Sequence, residues 1–169
     1  MAKKTLLFVF CLFSRLVFSA DTVNVNITGN IVASPCVFNG GNKALNVNLG
    51  SIQAINMATP MSSSESVPFK LAFTQCPIST QSVTVIFAGV ADTTAGGDYY
   101  LNHGTATQIA IALTDSRTHR LKGVGSSITQ TVDKDRSVSI AMQARAYSSA
   151  GHVRPGTINA VVVLIIQYN

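Results

Sequence analysis

The 169-residue chain has few of the groups that carry out chemistry. Its three histidines, His103, His119 and His152, stand in polar, turn-like stretches without metal-ligand spacing. No GxSxG, HExxH, P-loop or paired-carboxylate pattern occurs. No catalytic residue, metal site, cofactor or small-molecule substrate is therefore expected, and the histidines read as surface residues. The cations Lys43, Lys70, Arg117, Arg120, Lys122, Lys134, Arg136, Arg145 and Arg154 are scattered and form no aromatic-basic stripe, which sets nucleic acid aside. Long apolar runs are lacking too. The stretches from Leu6 to Phe18 and from Ala160 to Ile166 are both too short to cross a hydrocarbon layer of ~30 Å. There is no internal repeat, low-complexity tract or linker to a second domain.

The N-terminus has the three parts of a secretory signal peptide: basic Met1-Ala2-Lys3-Lys4, the mostly apolar run broken by Arg15, and small residues at Ser19-Ala20. Cleavage after Ser19 puts Val17 and Ser19 at the small-residue positions, so residues 1–19 are expected to leave and the mature chain to begin at Ala20. The remaining 150 residues suit one domain with a real core. Removing Lys3, Lys4 and Arg15 takes the basic count from 12 to 9 against 7 acidic residues, so the net charge falls from +5 to +2. Cys11 leaves with the leader, and Cys36 and Cys76 remain as one possible pair in an oxidising compartment. A redox or metal site would need a closely spaced second thiol or ligating histidines, and neither is present. Closing a loop of this length stabilises a fold by ~4 kcal/mol in the chain-entropy model.

Short alternating runs recur along the mature chain: Val23 to Val32, Ala44 to Leu49, Val67 to Phe73, Val83 to Phe87, Ile109 to Leu113, Val138 to Ala146 and Ile158 to Tyr168. Turn-forming residues separate them, as in Asn39-Gly40-Gly41-Asn42, Ala91 to Asp98 and Gly123 to Ser127. Many short strands without a long helical period predict an all-β sandwich. The region from Ile52 to Ser64, with Pro60, suits a helical turn or an irregular crossover. Tyr99 and Tyr100, beside a turn, read as local packing, and the sequon Asn26-Ile27-Thr28 as chance.

The richest stretch runs from Gly156 to Asn169. Ile158, Ala160, Val162, Leu164, Ile166 and Tyr168 form one apolar face, while Thr157, Asn159, Gln167 and Asn169 start and end the other. That period of two marks a strand with one core face. As it reaches the last residue, no later strand is expected to cover it, and an open apolar edge recruits other chains. The first mature segment has matching chemistry: Val23, Val25, Ile27 and Ile31, with Gly29 among them, share one face, and Asn24, Asn26, Thr28 and Asn30 the other. A first strand paired within its own domain fits this pattern as well as a strand donated elsewhere.

Taken as an ordered set, several features resemble the pilin subunits of chaperone–usher fimbriae, in particular the minor subunits of type 1 fimbriae and among them the adaptor below the tip adhesin. They are the alternating arm, the entry Gly29-Asn30-Ile31-Val32, Cys36 and Cys76 forty residues apart, the segment Phe87-Ala88-Gly89-Val90-Ala91-Asp92, Gly156 fourteenth from the end, and penultimate Tyr168. The resemblance covers essentially the whole mature chain. Its short arm, sixteen residues before Cys36, and the stretch Tyr99-Tyr100-Leu101-Asn102-His103-Gly104-Thr105-Ala106 favour an adaptor over a rod subunit.

The resemblance implies an incomplete immunoglobulin-like sandwich lacking its final strand, with a donor-strand extension at 20–32 and a pilin domain at 33–169. It also implies a Cys36–Cys76 disulfide. Val23, Val25, Ile27, Gly29 and Ile31 would be donated to a neighbour. Gly156, Ile158, Ala160, Val162, Leu164, Ile166 and Tyr168 would line the groove that receives first a periplasmic chaperone strand and then, at the outer-membrane usher, the next subunit's arm. Chaperone–pilin complementation is a named case of β-strand addition. The expected product is a secreted subunit that passes through the periplasm to a surface fimbria and contributes to adhesion, with neighbouring pilins and the tip adhesin as partners. A major rod pilin and a self-complemented secreted sandwich are the alternatives. A sugar-binding tip adhesin is disfavoured, because such proteins resemble two domains in series and lack the donor arm.

Overall fold

The computed structural model describes residues 22–31 and 35–169. The expected leader at 1–19 and the expected boundary between arm and domain at 32/33 lie outside the described residues. Two units are distinguished, the N-terminal segment and the domain.

Over residues 22–31 the N-terminal segment has no ladder and no helix. Val23, Val25, Ile27 and Ile31 are each at least 77% exposed. The expected strand is thus absent as an assigned element. Its alternation specifies which face a partner would cover, but a β-strand's backbone groups are satisfied only by a neighbour.

The domain is a two-layer sandwich. Its strands are β1 (Val37–Phe38), β2 (Ser62–Ser63), β3 (Val67–Thr74), β4 (Ser82–Gly89), β5 (Tyr100–Leu101), β6 (Ala110–Asp115), β7 (Ser127–Thr131), β8 (Val138–Ser148) and β9 (Val162–Tyr168). The larger sheet has the order β1-β3-β8-β6-β5, with β2 also paired to β8. The smaller sheet has three strands, ordered β7-β4-β9. Every described pairing between these strands is antiparallel.

The buried faces follow directly from alternation. Leu71 and Phe73 of β3, together with Val138, Ile140, Met142 and Ala144 of β8, meet Val83, Val85 and Phe87 of β4 across the sandwich. Phe73 packs on Phe38 with ring centroids 5.2 Å apart. Tyr100 is buried, donates its hydroxyl to the Lys122 carbonyl at 2.8 Å, and has its phenol pushed up to about 12 by burial. Tyr99 instead stacks on Tyr147 at 4.3 Å, so this tyrosine pair serves packing as expected. Cys36 and Cys76 form the disulfide, which lies among the core residues. Arg136 clamps the neighbouring loop, donating from Nε to the Cys76 carbonyl at 2.9 Å and from its second terminal nitrogen to the Thr80 carbonyl at 3.2 Å.

Five of the seven expected strands are present, with shifted ends. Ala44 to Leu49 alternates in burial yet carries no ladder, because nothing among the described residues pairs with it. The last strand begins at Val162 instead of Ile158. Over 157–159 the chain bonds to an irregular loop: His103 N–H donates to the Asn159 carbonyl at 2.7 Å, and Ala106 N–H to that of Thr157 at 3.0 Å. Asn102 Oδ1 accepts from Asn159 N–H at 2.8 Å, and Thr105 Oγ1 from Thr157 N–H at 2.9 Å. β7 went unrecognised because Ser-Ile-Thr-Gln-Thr offers one buried apolar residue, Ile128, which makes too short a pattern to register. The Ile52 to Ser64 region holds a single 3-10 turn at Ala54–Met57, with Met57 buried.

Two glycines permit the close approach of the 102–106 loop to the chain at 156–159. A Cβ on Gly156 would collide with the backbone of Thr105 and Ala106, and one on Gly104 with that of Thr157. Replacing Gly156 with Ala should therefore lower the unfolding free energy by about 1–3 kcal/mol in denaturant titration, whereas Gly97→Ala, in open space, should cost less than about 0.5 kcal/mol.

Asp115 supplies a pH-dependent term. Burial pushes its carboxyl up, but this is outweighed by hydrogen bonds from the Thr118 hydroxyl and the Arg117 and Thr118 amides and by the Arg117 charge, so its pKa lies below the ordinary 3.8. A depressed carboxylate stabilises the fold above its unfolded pKa, and that contribution is lost as pH falls through the folded value. Asp115→Asn should be about 1–2 kcal/mol less stable than the parent at neutral pH. The gap should close below pH 3.8 when unfolding is followed against pH.

Candidate functional site

A three-stranded sheet facing a larger one leaves part of the sandwich uncovered, and the uncovered part lies along β9. The opening is a trough of about 1410 Å³. One wall is the chain from Gly156 to Ile166, and the other is the chain from Gly41 to Ile52. Phe69, Leu71, Phe87, Ile111, Leu113 and Ala144 reach it from the strands beneath. Its interior is therefore continuous with the domain core.

The first wall follows the expected face. Ile158, Ala160, Val162, Leu164, Ile166 and Tyr168 are all half-buried and packed against the core. Gly156, Ile158, Ala160, Val162, Leu164 and Ile166 line the trough directly, whereas Tyr168 lies beyond its lining residues. Burial raises the pKa of the Tyr168 phenol. On the opposite face Val161, Val163 and Ile165 are about half exposed or more.

Backbone polarity is arranged along the same division. Asn169 and Ser82 exchange both of their main-chain hydrogen bonds at 3.0 Å. In an antiparallel ladder bonded pairs alternate with non-bonded ones, so the odd residues 163, 165 and 167 bond to β4 while the even ones face away from it. Thr157 and Asn159 continue the odd series through their bonds to the 102–106 loop. The even residues from Ile158 to Tyr168 thus combine apolar side chains directed at the core with N–H and C=O groups on the open edge. A strand lying in the trough could bond to the second while covering the first.

The second wall was not singled out from the sequence as part of the site. Leu45, Val47 and Leu49 are half-buried against the core, while Asn46 and Asn48 are exposed. Among the described residues, hydrogen bonding in 44–50 is confined to Asn39 Nδ2 donating to the Ala44 carbonyl at 3.4 Å and Gly50 N–H donating to Asn48 Oδ1 at 2.9 Å. The signal was available as the alternation of Ala44 to Leu49, but only the folded chain puts that run across from β9.

The expected donor residues Val23, Val25, Ile27 and Ile31 are exposed, with Gly29 exposed among them. Cys36, one half of the disulfide, borders the trough. His103, His119 and His152 are exposed and unclustered. No grouping of histidine, cysteine and carboxylate among the described residues has metal-site geometry. The arrangement offers apolar surface and unpaired main-chain groups, with no converging acid, base or nucleophile.

Comparison with known proteins matches this geometry. The family model described as "Fimbrial protein" spans residues 25–169. The chain is 37% identical to the fimbrial-like protein YdeR of Escherichia coli K12 over 98% of its own length and 96% of that protein's. It is 31% identical to the protein FimG of the same strain, covering 95% and 93% respectively. In fold it resembles the P pilus rod subunit PapA, with a TM-score of 0.67 at 18% identity over 80% of this chain and all of that one. The P pilus adaptor subunit PapF is also similar, with a TM-score of 0.51 at 15% identity over 83% and 100%. A sandwich open along its last strand, a family match over nearly the whole chain and relatives above 30% identity lead to one conclusion: this protein belongs to the fimbrial protein family, as a structural pilin and not an enzyme.

Proposed function

We propose that this pilin polymerises by strand donation, its trough receiving an extended segment from another chain and its own residues 20–32 filling the trough of a neighbour. The observation that carries this is the open edge of the chain from Ile158 into β9, where five apolar side chains and the unpaired main-chain groups of the same residues face one trough. An inserted strand would complete both the sheet and the core. Each aliphatic side chain covered this way contributes ~1.5–3 kcal/mol before ordering costs, and Val23, Val25, Ile27 and Ile31 supply four in the right alternation.

The remaining roles follow from this one. A periplasmic chaperone strand would occupy the trough first and be exchanged at an outer-membrane usher, and residues 1–19 would direct the chain to that compartment. The finished subunit would sit in an extracellular fimbria. Between adaptor and rod positions, the short arm before Cys36 supports an adaptor that joins an adhesin-bearing tip to the fibre.

The test is thermal unfolding and sedimentation of the mature chain, of the chain lacking residues 20–32, and of the latter with a synthetic arm peptide. The shortened chain should be labile and strongly stabilised by the peptide. A full-length chain that is a stable monomer, with a truncation that unfolds irreversibly and gains nothing from the peptide, would place the arm in its own core and refute strand donation.

Two substitutions should separate the donor and acceptor roles. Leu164→Asp puts a charge into the trough wall and should abolish chaperone capture in co-purification. Ile27→Asp should leave chaperone capture intact while preventing the subunit from capping its neighbour. Loss of chaperone capture by Ile27→Asp, or its retention by Leu164→Asp, would contradict these assignments.

A further inference from the structure

The free wall of the trough and the N-terminal segment have the same sequence pattern. Residues 45–49 read Leu-Asn-Val-Asn-Leu and residues 23–27 read Val-Asn-Val-Asn-Ile. In the wall, the aliphatic positions are half-buried against the core and the asparagines are exposed. No side-chain hydrogen bond engages Asn46 among the described residues, and Asn48 uses only its Oδ1, toward Gly50 N–H.

We propose that the strand seated beside this wall is the 23–27 segment of a second copy of the chain, running parallel to 45–49 and offset by twenty-two residues. This rests on the strand-donation reading and not on the adaptor position, and it names both the partner and its register. Neighbouring strands share their faces. At this offset Val23, Val25 and Ile27 would therefore point inward with Leu45, Val47 and Leu49, and Asn24 and Asn26 would stand beside Asn46 and Asn48. A carboxamide has both donor and acceptor atoms, so each can bond to its like, as in the amide ladders of stacked identical strands. Shifting a parallel strand by two residues either way keeps the apolar faces together but leaves a single asparagine pair.

Charge selects the direction. The pattern is nearly palindromic, so an antiparallel strand centred on Val25 and Val47 would also match asparagines. Two residues before the repeats, however, stand Asp21 and Lys43. The parallel alignment places these opposite charges together, whereas the antiparallel one sets Lys43 against Gly29. Lys43 is exposed and borders the trough. Residues 44–51 and 156–169 contain no other charged side chain, so this pair carries the charge complementarity between arm and trough.

The test uses the mature chain from Ala20 carrying Ile27→Asp, which disables its own arm as a donor, with synthetic peptides of residues 20–31 as probes. A peptide bearing Asn24→Cys, equilibrated in a buffer of oxidised and reduced glutathione, in which the oxidised form accepts the two electrons, should form a disulfide with a chain bearing Asn46→Cys in preference to one bearing Asn48→Cys. Replacing Asn24 and Asn26 of the peptide with Ala should weaken binding about fivefold, as expected for two cross-strand pairs. Lys43→Glu in the chain should also weaken binding, and Asp21→Lys in the peptide should restore it. Preferred cross-linking at position 48, equal affinity of the asparagine-free peptide, or no effect of the charge exchange would overturn the register while leaving strand donation standing. Failure of every peptide to bind, including the asparagine-free one that keeps all four aliphatic residues, would overturn both.

Discussion

Everything in this domain depends on the unpaired edge of β9. A β-strand satisfies its main chain only through neighbours, and a sandwich core is dry only when both sheets cover it. Here one sheet stops at β9, so a line of amides and carbonyls and a line of aliphatic side chains are exposed together along the trough. These are two unmet requirements at one place, and a single extended strand answers both. In the proposed assembly the chemistry of recognition is that of folding itself, with the missing element supplied from another molecule.

The rest of the domain holds that edge open and in position. β4 pairs with β9 over seven residues and carries Phe87, Val85 and Val83 into the core below it. The 102–106 loop grips residues 157–159 through main-chain and side-chain bonds, which extends the wall beyond the end of the ladder. Gly104 and Gly156 allow this grip because neither backbone leaves room for a Cβ. The disulfide ties Cys36, at the border of the trough, to Cys76 in the turn after β3, and Arg136 holds the same turn through the Cys76 and Thr80 carbonyls. A charge-poor trough between two aliphatic walls results, and an alternating strand suits it because only alternation covers the core while leaving polar atoms in water.

The wall at 44–50 is itself a strand without a ladder. Its half-buried leucines and valine hold it to the core on one side, and in the proposed assembly its backbone would gain a partner on the other. Its likeness to residues 23–27 makes the trough chemically similar on its rim to the segment proposed to enter it. Such self-similarity suits an assembly in which related subunits exchange equivalent strands.

Much of this was present in the order of residues. Alternation located β3, β4, β6 and β8 and assigned the inward face of 158–168, because a two-residue period is a local property of the chain. The Cys36–Cys76 bond followed from there being two cysteines in the expected mature chain. The absence of catalytic patterning likewise agreed with the family the chain belongs to. Other features depended on contacts distant in sequence. β7 has a single buried apolar residue, and only its pairing with β4 makes it a strand. Residues 158–161 alternate as well as β9 does, yet they face a loop and not a strand. Above all, Leu45, Val47 and Leu49 became one wall of the site only when folding set them across from Ile158 to Ile166. The sequence by itself determined which face of each segment is apolar, since that is written residue by residue. Tertiary structure alone decided which segments flank the gap, because a missing neighbour is a property of the sheet and not of any strand within it.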